Sequence, residues 1–199
     1  MEKLLIFIKH HLKPLWSIID GVNASLYSLL YKSKQDAALR EVLNETKPGA
    51  FEYRELKPGD IPLLHSLISR QSEDDLTYFQ PHGFSMQALE KQYHKSSFLM
   101  MGVFQDNLLV GYFFLRFFFN RKCFVGRLID KDFRGKGIGG EMNRIMYETA
   151  WRMKFRCLST ISQDNTSVMR AHSKNETMKV LKHLKNNYML VEFVKADKG

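Results

Sequence analysis

The chain has little of several residue types and patterns, and each shortage excludes a class of protein. Its 199 residues include two cysteines and five prolines, too few for a disulfide scaffold or a collagen-like repeat. No apolar run approaches the roughly 20 residues that a membrane-spanning helix needs. The apolar run near the start, Leu4 to Ile8, is too short for the core of a secretion signal, so no such signal is expected.

The two cysteines, Cys123 and Cys157, lie far apart, and neither has a second Cys or His at the spacing of a metal site. We therefore expect no metal site and two small, buried, apolar side chains. We expect the protein in the cytoplasm, with attachment to the inner face of the membrane as an open alternative.

Acidic residues are the third shortage, because 21 Asp and Glu face 30 Lys and Arg and leave a formal net charge of +9. Such a balance favours anionic partners, which include phosphorylated small molecules, anionic lipids and nucleic acids. The cations are dispersed rather than gathered on one helix, so we expect no nucleic-acid partner.

Residues 1–50 are predicted to form an amphipathic helical extension ahead of a main domain at 51–199. Apolar side chains recur there at helical spacing, and Gly21 with Asn23 predicts a break between two helices. An apolar stripe flanked by lysines is typical both of interfacial membrane helices and of helices that pack on a core. Two alternatives stay open: peripheral membrane contact through residues 1–34, or packing on the main domain or a second copy in a homodimer.

The main domain alternates between strand and helix patterns. Residues 71–84 are polar and aromatic and are predicted to form a loop, and Ser85 is predicted to cap the helix that follows. The predicted strands are 51–56, 98–105, 108–119, 123–130, 156–162, 179–184 and 188–194, and the predicted helices are 61–68, 85–94, 137–154 and 165–174.

The most informative segment is Arg134-Gly135-Lys136-Gly137-Ile138-Gly139-Gly140, which lies between a strand and the strongest predicted helix. Glycines let the backbone approach a ligand closely, and the first N–H groups of a helix attract anions. The turn therefore predicts a phosphate or pyrophosphate site, with two cations beside it.

Two nucleotide-binding motifs fail in this context. Gly135-x-Gly137-x-x-Gly140 matches the dinucleotide fingerprint formally, but hairpins precede it where that fold requires the first strand of a βαβ series. No Gly-Lys-Ser/Thr sequence is present, so a Walker P-loop is excluded as well.

From Arg134 onward the same residues form Arg-x-x-Gly-x-Gly, which resembles the pyrophosphate-binding signature of the GNAT superfamily of acetyl-CoA-dependent N-acetyltransferases. A second block, strand 159–162 followed by Asn165, His172 and Lys174, is similar to that superfamily's next motif. The order of elements from 51 to 194 also resembles the GNAT order. The resemblance implies an α/β (α+β) fold, with a mixed, mostly antiparallel central sheet and helices on both faces, preceded here by the helical extension.

The resemblance also implies acetyl-CoA as co-substrate and no metal. Its pantetheine arm would pair with the backbone near Leu128 and Ile129. Asn165 and Lys174 would add contacts from the second block. The pyrophosphate would bind Arg134, Gly135, Lys136, Gly137, Ile138, Gly139 and Gly140.

The catalytic and substrate residues are less well defined by the resemblance. His172 stands where many relatives carry a tyrosine that protonates the departing thiolate, and residues 123–129 lack the carboxylate that many relatives use as a base. In the loop 71–84, Tyr78 and Phe79 are expected to border the acceptor, and an exposed His82 to contact it and relay a proton.

These features predict an acetyltransferase that acts on a primary amine of a small molecule, with an amino sugar of surface-polysaccharide synthesis preferred. Protein or peptide amines and polyamines are alternative acceptors. A non-catalytic acyl-CoA-binding domain is the alternative from a different class, because the missing carboxylate permits it.

Overall fold

A computed structural model describes residues 13–166, 168–169 and 177–196, and the side chains of 13–17 lie outside the description. Seven strands form one sheet in the order β1-β2-β3-β4-β5-β7-β6, and every neighbouring pair is antiparallel except β4 and β5. The strands are β1 Glu52–Glu55, β2 Phe98–Gln105, β3 Leu108–Phe118, β4 Lys122–Ile129, β5 Arg156–Ser162, β6 Met178–His183 and β7 Tyr188–Phe193.

Helices cover both faces of this sheet. Two short 3-10 turns follow strands: Pro58–Asp60 connects β1 to the next helix, and Lys131–Phe133 connects β4 to the glycine turn. The α-helices in the described part of the chain are α1 Lys13–Asn44, α2 Ile61–Ser69, α3 Glu73–Thr77, α4 Met86–Tyr93 and α5 Ile138–Arg152.

Alternation along the strands divides the core into two layers. Leu99, Met101 and Val103 of β2 pack with α1 and α5 on one face, whereas Met100 and Phe104 pack with α2 and α4 on the other. The central strands are apolar on both sides because helices cover both sides. The predicted mixed, mostly antiparallel sheet with helices on both faces is therefore confirmed.

The predicted strands and most predicted helices agree with the structure to within one or two residues at each end. The Asp106-Asn107 hairpin has both residues at positive φ, as a tight primed turn requires. Ser85 caps α4 by accepting a hydrogen bond from the Ala88 N–H. The segment 71–84 is not entirely a loop, since α3 lies within it, capped by Ser72.

The predicted break at Gly21 and Asn23 is wrong, because α1 runs through both positions. Gly21 lies on an exposed side where a helix tolerates it at modest cost. Asn23 is buried, and its side chain donates to the Phe117 carbonyl and accepts from the Phe119 N–H at the end of β3. The residue that suggested a break instead fastens α1 to the sheet.

The C-terminal half of α1 belongs to the core that α5 and the sheet share. Tyr27 is fully buried and stacks on Phe117, with 5.0 Å between ring centroids. Ala38, Leu39 and Val42 continue the buried face. The helix before residue 50 therefore shares one core with the domain that follows, and the boundary at 50 stays a prediction.

The outer face of α1 carries apolar side chains that are exposed. No helix among the described residues is long and apolar enough to cross a bilayer. The membrane and homodimer alternatives both stay predictions. The exposed side chains are Ile18, Val22, Leu26, Leu29 and Leu30.

Asn23→Ala is expected to lower the free energy of unfolding by about 1–3 kcal/mol, because it leaves the buried Phe117 carbonyl and Phe119 N–H without their partner. Urea unfolding followed by circular dichroism measures the change. Ser25→Ala, on the exposed side of the same helix, is the control and should stay within about 0.5 kcal/mol of the parent. Equal stability of the two variants would contradict this account of how α1 is attached.

Candidate active site

The site begins where the only parallel pair among the described strands separates. β4 and β5 pair at Lys122–Phe124 with Arg156–Leu158, and beyond that point their C-terminal halves have no register with each other. Cys123 and Cys157 face each other at the middle one of the three paired positions as buried free thiols, and burial raises the pKa of both. The two strands therefore form a V whose open end points toward the glycine turn.

Backbone groups of β4 line this gap. The Asp130 N–H donates to the Val110 carbonyl, so the antiparallel alternation directs the backbone of Leu128 to β3 and those of Arg127 and Ile129 to the gap. The backbone of Ile129 thus faces the gap, whereas that of Leu128 pairs with Tyr112 of β3, and the contacts of both with pantetheine stay predictions.

The glycine turn adopts the conformation that its sequence predicts. Gly135 and Gly137 have φ values of +76° and +81°, in the left-handed region that costs other residues energy. Gly137 caps α5, and the first N–H groups of that helix have no acceptor within the helix. A Cβ at Gly135, Gly137 or Gly140 would meet no atom within 4 Å, so the space above the turn is open.

Buried contacts hold the turn in place below. Ile138 is 1% exposed and anchors the first turn of α5 in the core. The carboxylate of Asp130 pairs with Arg70 and accepts from the Asp132 N–H, which fixes the 3-10 turn between β4 and the glycines. The charged segment that separates strand from glycines is thus a rigid connection.

The two cations of the turn point to different places. Arg134 donates to the Ile129 carbonyl and pairs with Asp75 of α3 at 2.7 Å, at the open end of the gap. Burial opposes ionisation of Asp75, but hydrogen bonds from Ser72 and Arg134 outweigh it and keep the Asp75 pKa below its usual range. The Lys136 ammonium lies over the Phe133 ring and lines a separate cavity, so it does not join Arg134.

Three adjoining cavities form one cleft along the gap. The end next to the glycine turn, called the cofactor end, measures about 420 Å³ and is lined by Arg134, Ile129 and Arg127. The middle, about 100 Å³, is lined by Arg127 and Ser159, and the opposite end, called the acceptor end, about 500 Å³, by several aromatic rings and Arg116. Tyr78 and Phe79 line all three.

Several residues predicted from sequence meet in this cleft. Tyr78 and Phe79 lie there, and Asn165 lines both the cofactor end and the middle while its side chain accepts from the Val168 N–H. His172 and Lys174 lie outside the described residues, so their roles stay predictions.

His82 was expected to be exposed, and it is instead half-buried among Phe84, Phe98 and Tyr112. Its Nδ1 donates to the Gly83 carbonyl at 2.9 Å, so its Nε2 accepts from the Tyr112 hydroxyl at 2.8 Å. Burial lowers the pKa of His82, which favours the neutral ring. His82 lines none of the three cavities of the cleft, because the rings around it separate it from them.

Sequence reasoning missed the polar residues deep in the gap. Arg127 lies in an apolar strand pattern, where only its charge distinguished it. Asn143 and Tyr147 follow Gly139 at four-residue steps on α5, a spacing that placed them on one face. Arg116, on the acceptor side, was hidden in the aromatic run of β3.

Comparison with solved structures shows the fold. No protein-family model matches the chain, and no curated protein matches it in sequence. The PaiA N-acetyltransferase of Thermoplasma acidophilum, solved with coenzyme A, is similar with a TM-score of 0.61 and 17% identity, over 74% of this chain and 100% of its own.

Two other neighbours differ in the acceptor that they modify. An acetyltransferase of Salmonella typhimurium, which modifies the N-terminal serine of ribosomal protein L7/L12, has a TM-score of 0.56 and 19% identity, over 73% of this chain and 93% of its own. A chimera of the Vibrio cholerae spermidine N-acetyltransferase SpeG with hSSAT has a TM-score of 0.55 and 17% identity, over 72% of this chain and 93% of its own. This chain has the fold of the GNAT acetyltransferases, and the resemblance in its sequence is confirmed at that level.

Burial of neutral His82 predicts a pH-dependent stability. Because its pKa is lower in the folded state, its contribution is complete above the unfolded value of about 6.5 and is lost as pH falls toward the folded value. As the pH falls from 6.5 to 5, the free energy of unfolding of the wild type should decrease by up to about 1.4 kcal/mol per pH unit more than that of His82→Phe. Urea unfolding at each pH measures this. His183→Gln, at an exposed histidine, is the control, and identical pH slopes in wild type and His82→Phe would contradict the prediction.

Proposed function

We propose that this chain is an N-acyltransferase that uses an acyl-coenzyme A thioester to modify a primary amine. The observation that carries the proposal is the opening of β4 from β5 directly beside a helix N-terminus whose glycines leave its N–H groups accessible. An extended pantetheine arm fits an open strand edge, and a pyrophosphate fits a helix N-terminus. Acetyl-CoA is the donor that the resemblance implies.

The residues that would hold the cofactor are distributed along the cleft. The N–H groups of Ile138 and Gly139 and the Arg134 guanidinium would bind pyrophosphate, and the backbone of Arg127 and Ile129 would bind the arm. When bound, coenzyme A supplies an activated thioester. In the free protein, Asp75 forms an ion pair with Arg134. When pyrophosphate binds, this ion pair must break, or the guanidinium must contact both anions.

Removal of the amine proton requires a base, and we propose that a bound water serves as that base in this cleft. An alkyl ammonium has a pKa near 10 and must lose a proton before it attacks a carbonyl. No carboxylate lines the acceptor end among the described residues. The hydroxyls of Ser159 and Thr160 line both the middle and the acceptor end, and we assign them to hold the water that takes the proton. His172 is proposed as the acid for the thiolate.

The acceptor end favours an amine whose molecule also carries an anionic group or a ring face that can pack on aromatic side chains. Phe98, Phe114 and Phe118 form its walls, and Arg116 is its one charged side chain among the described residues. A polyamine would meet no carboxylate there. A nucleotide-linked amino sugar, preferred from sequence, would present phosphate to Arg116 and ring faces to the aromatic walls. Peptide amines, which the ribosomal-protein acetyltransferase neighbour modifies, are the next acceptor to test.

A non-catalytic acyl-CoA-binding domain is the second candidate. The missing carboxylate at the acceptor end favours it specifically, because a binding protein needs no base. The exposed stripe of α1 would then serve contact with a membrane or a second copy, as it would in the enzyme.

Arg134→Ala is expected to weaken binding of coenzyme A by about tenfold, because one charge-assisted pairing with the pyrophosphate is lost. Isothermal titration calorimetry measures the affinity. Lys136→Ala removes an equal charge from the same turn but from the separate cavity, and it should change the affinity less than twofold. Equal effects of the two substitutions would contradict the placement.

An acyltransferase must release free thiol only when an acceptor is present. Incubation with an acyl-CoA and a panel of amines should give turnover, detected as free coenzyme A thiol, with the nucleotide-linked amino sugar ahead of peptide amines and spermidine last. The order follows from Arg116 and the absence of carboxylates in the acceptor end. Absence of thiol release with every amine on the panel would favour the binding domain, and a preference for spermidine would overturn the acceptor assignment.

A further inference from the structure

The middle cavity of the cleft has several polar side chains among its apolar lining. Its described lining includes the guanidinium-bearing Arg127, the amide of Asn143, the phenol of Tyr147 and hydroxyls from β5, and no carboxylate. A methyl group gains from apolar contacts and leaves buried polar groups without partners. The cavity is therefore suited to an acyl group with polar atoms of its own.

Arg127 is the strongest feature of this cavity. It shares a face of β4 with Val125 and Ile129, both of which pack in the apolar layer under α5. Its one hydrogen bond among the described residues runs from Nε to the Gly139 carbonyl at 3.5 Å, at the limit for such a bond. No carboxylate of the described chain pairs with it, although burial acts against its charge and lowers its pKa.

The guanidinium lies beside Gly139 and lines both the middle cavity and the cofactor end of the cleft. Carbonyl groups of a helix point toward its C-terminus, so contact with Gly139 O places Nε beyond the first-turn N–H groups. Asn143 and Tyr147 follow Gly139 along the same face of α5, deeper in the gap. Neither side chain has a hydrogen-bond partner among the described residues. Three donors thus line one cavity, in which we place the acyl end of a thioester.

We propose that Arg127, with Asn143 and Tyr147, binds a carboxylate at the far end of the acyl group, so that the preferred donor is the coenzyme A thioester of a short dicarboxylic acid. This inference rests on the proposed function and refines its donor from acetyl-CoA. A guanidinium presents its donors in a planar arrangement that matches a carboxylate, and the amide and phenol supply further donors. The cavity of about 100 Å³ limits the acyl group to a few atoms, as in malonyl or succinyl groups.

Binding to the full chain tests the proposal without reliance on turnover. Calorimetry compares coenzyme A, succinyl-CoA and butyryl-CoA, which has an acyl chain of the same carbon number without the terminal carboxylate. Wild type should bind succinyl-CoA at least about tenfold more tightly than butyryl-CoA. Arg127→Met should reduce this ratio to near one, and Arg127→Lys should retain part of the preference.

Two controls separate the alternatives. Arg134→Ala should weaken all three ligands by the same factor, because it acts on the shared pyrophosphate. Asn143→Ala provides a second variant with a smaller loss of preference, should Arg127→Met unfold in thermal melts. A wild-type ratio near one overturns the proposal, as does an Arg127→Met variant that loses coenzyme A as strongly as succinyl-CoA, which would assign the guanidinium to pyrophosphate. Failure of coenzyme A itself to bind would overturn the proposed function as well.

Discussion

The functional geometry of this molecule depends on one incomplete strand pairing. β4 and β5 run parallel and share hydrogen bonds for three residues each, after which their edges separate. Unpaired backbone groups inside a protein are costly unless a ligand or water takes the missing bonds. The open edge of β4 is therefore stable only because it faces a cleft. The Ser159 hydroxyl, which donates to the Val125 carbonyl, satisfies one such group at the point of separation.

The same separation explains how the basic charge is distributed around the cleft. Arg134 at its open end is balanced by Asp75 and remains partly exposed, as suits a group that must exchange partners. Arg127, deeper in the gap, has no carboxylate partner among the described residues. Partial burial without a counterion is unfavourable for this cation in the free protein, so an anionic ligand group at this depth would gain both the attraction and the relief of that cost. The surplus of cations thus bears on ligand choice more than on general attraction to polyanions.

Much of the fold followed from pattern, because each central strand carries a long apolar run bounded by clear turn residues. The glycine turn was predictable for a similar reason, since three closely spaced glycines before an amphipathic helix have few other uses. Arg127 and His82 were not predictable. An arginine in an apolar strand gives no signal of which face it takes, and Pro81 and Gly83 around His82 suggested exposure although aromatic neighbours enclose it. Tertiary contacts decided both positions.

The N-terminal helix shows where local signals fail for a second reason. Asn23 favours a helix end by propensity, but its side-chain hydrogen bonds to two backbone groups at the end of β3 stabilise it within the helix. One turn earlier, Asp20 pairs with Lys95 and with Arg116, the cation of the acceptor end. Burial opposes ionisation of Asp20, yet the two cations outweigh it and keep the Asp20 pKa below its usual range. The helix therefore both completes the core and fixes the orientation of the one charged side chain that the acceptor would meet. Its inner face packs on the sheet and holds Arg116, so only its outer face is left for a membrane or a second copy.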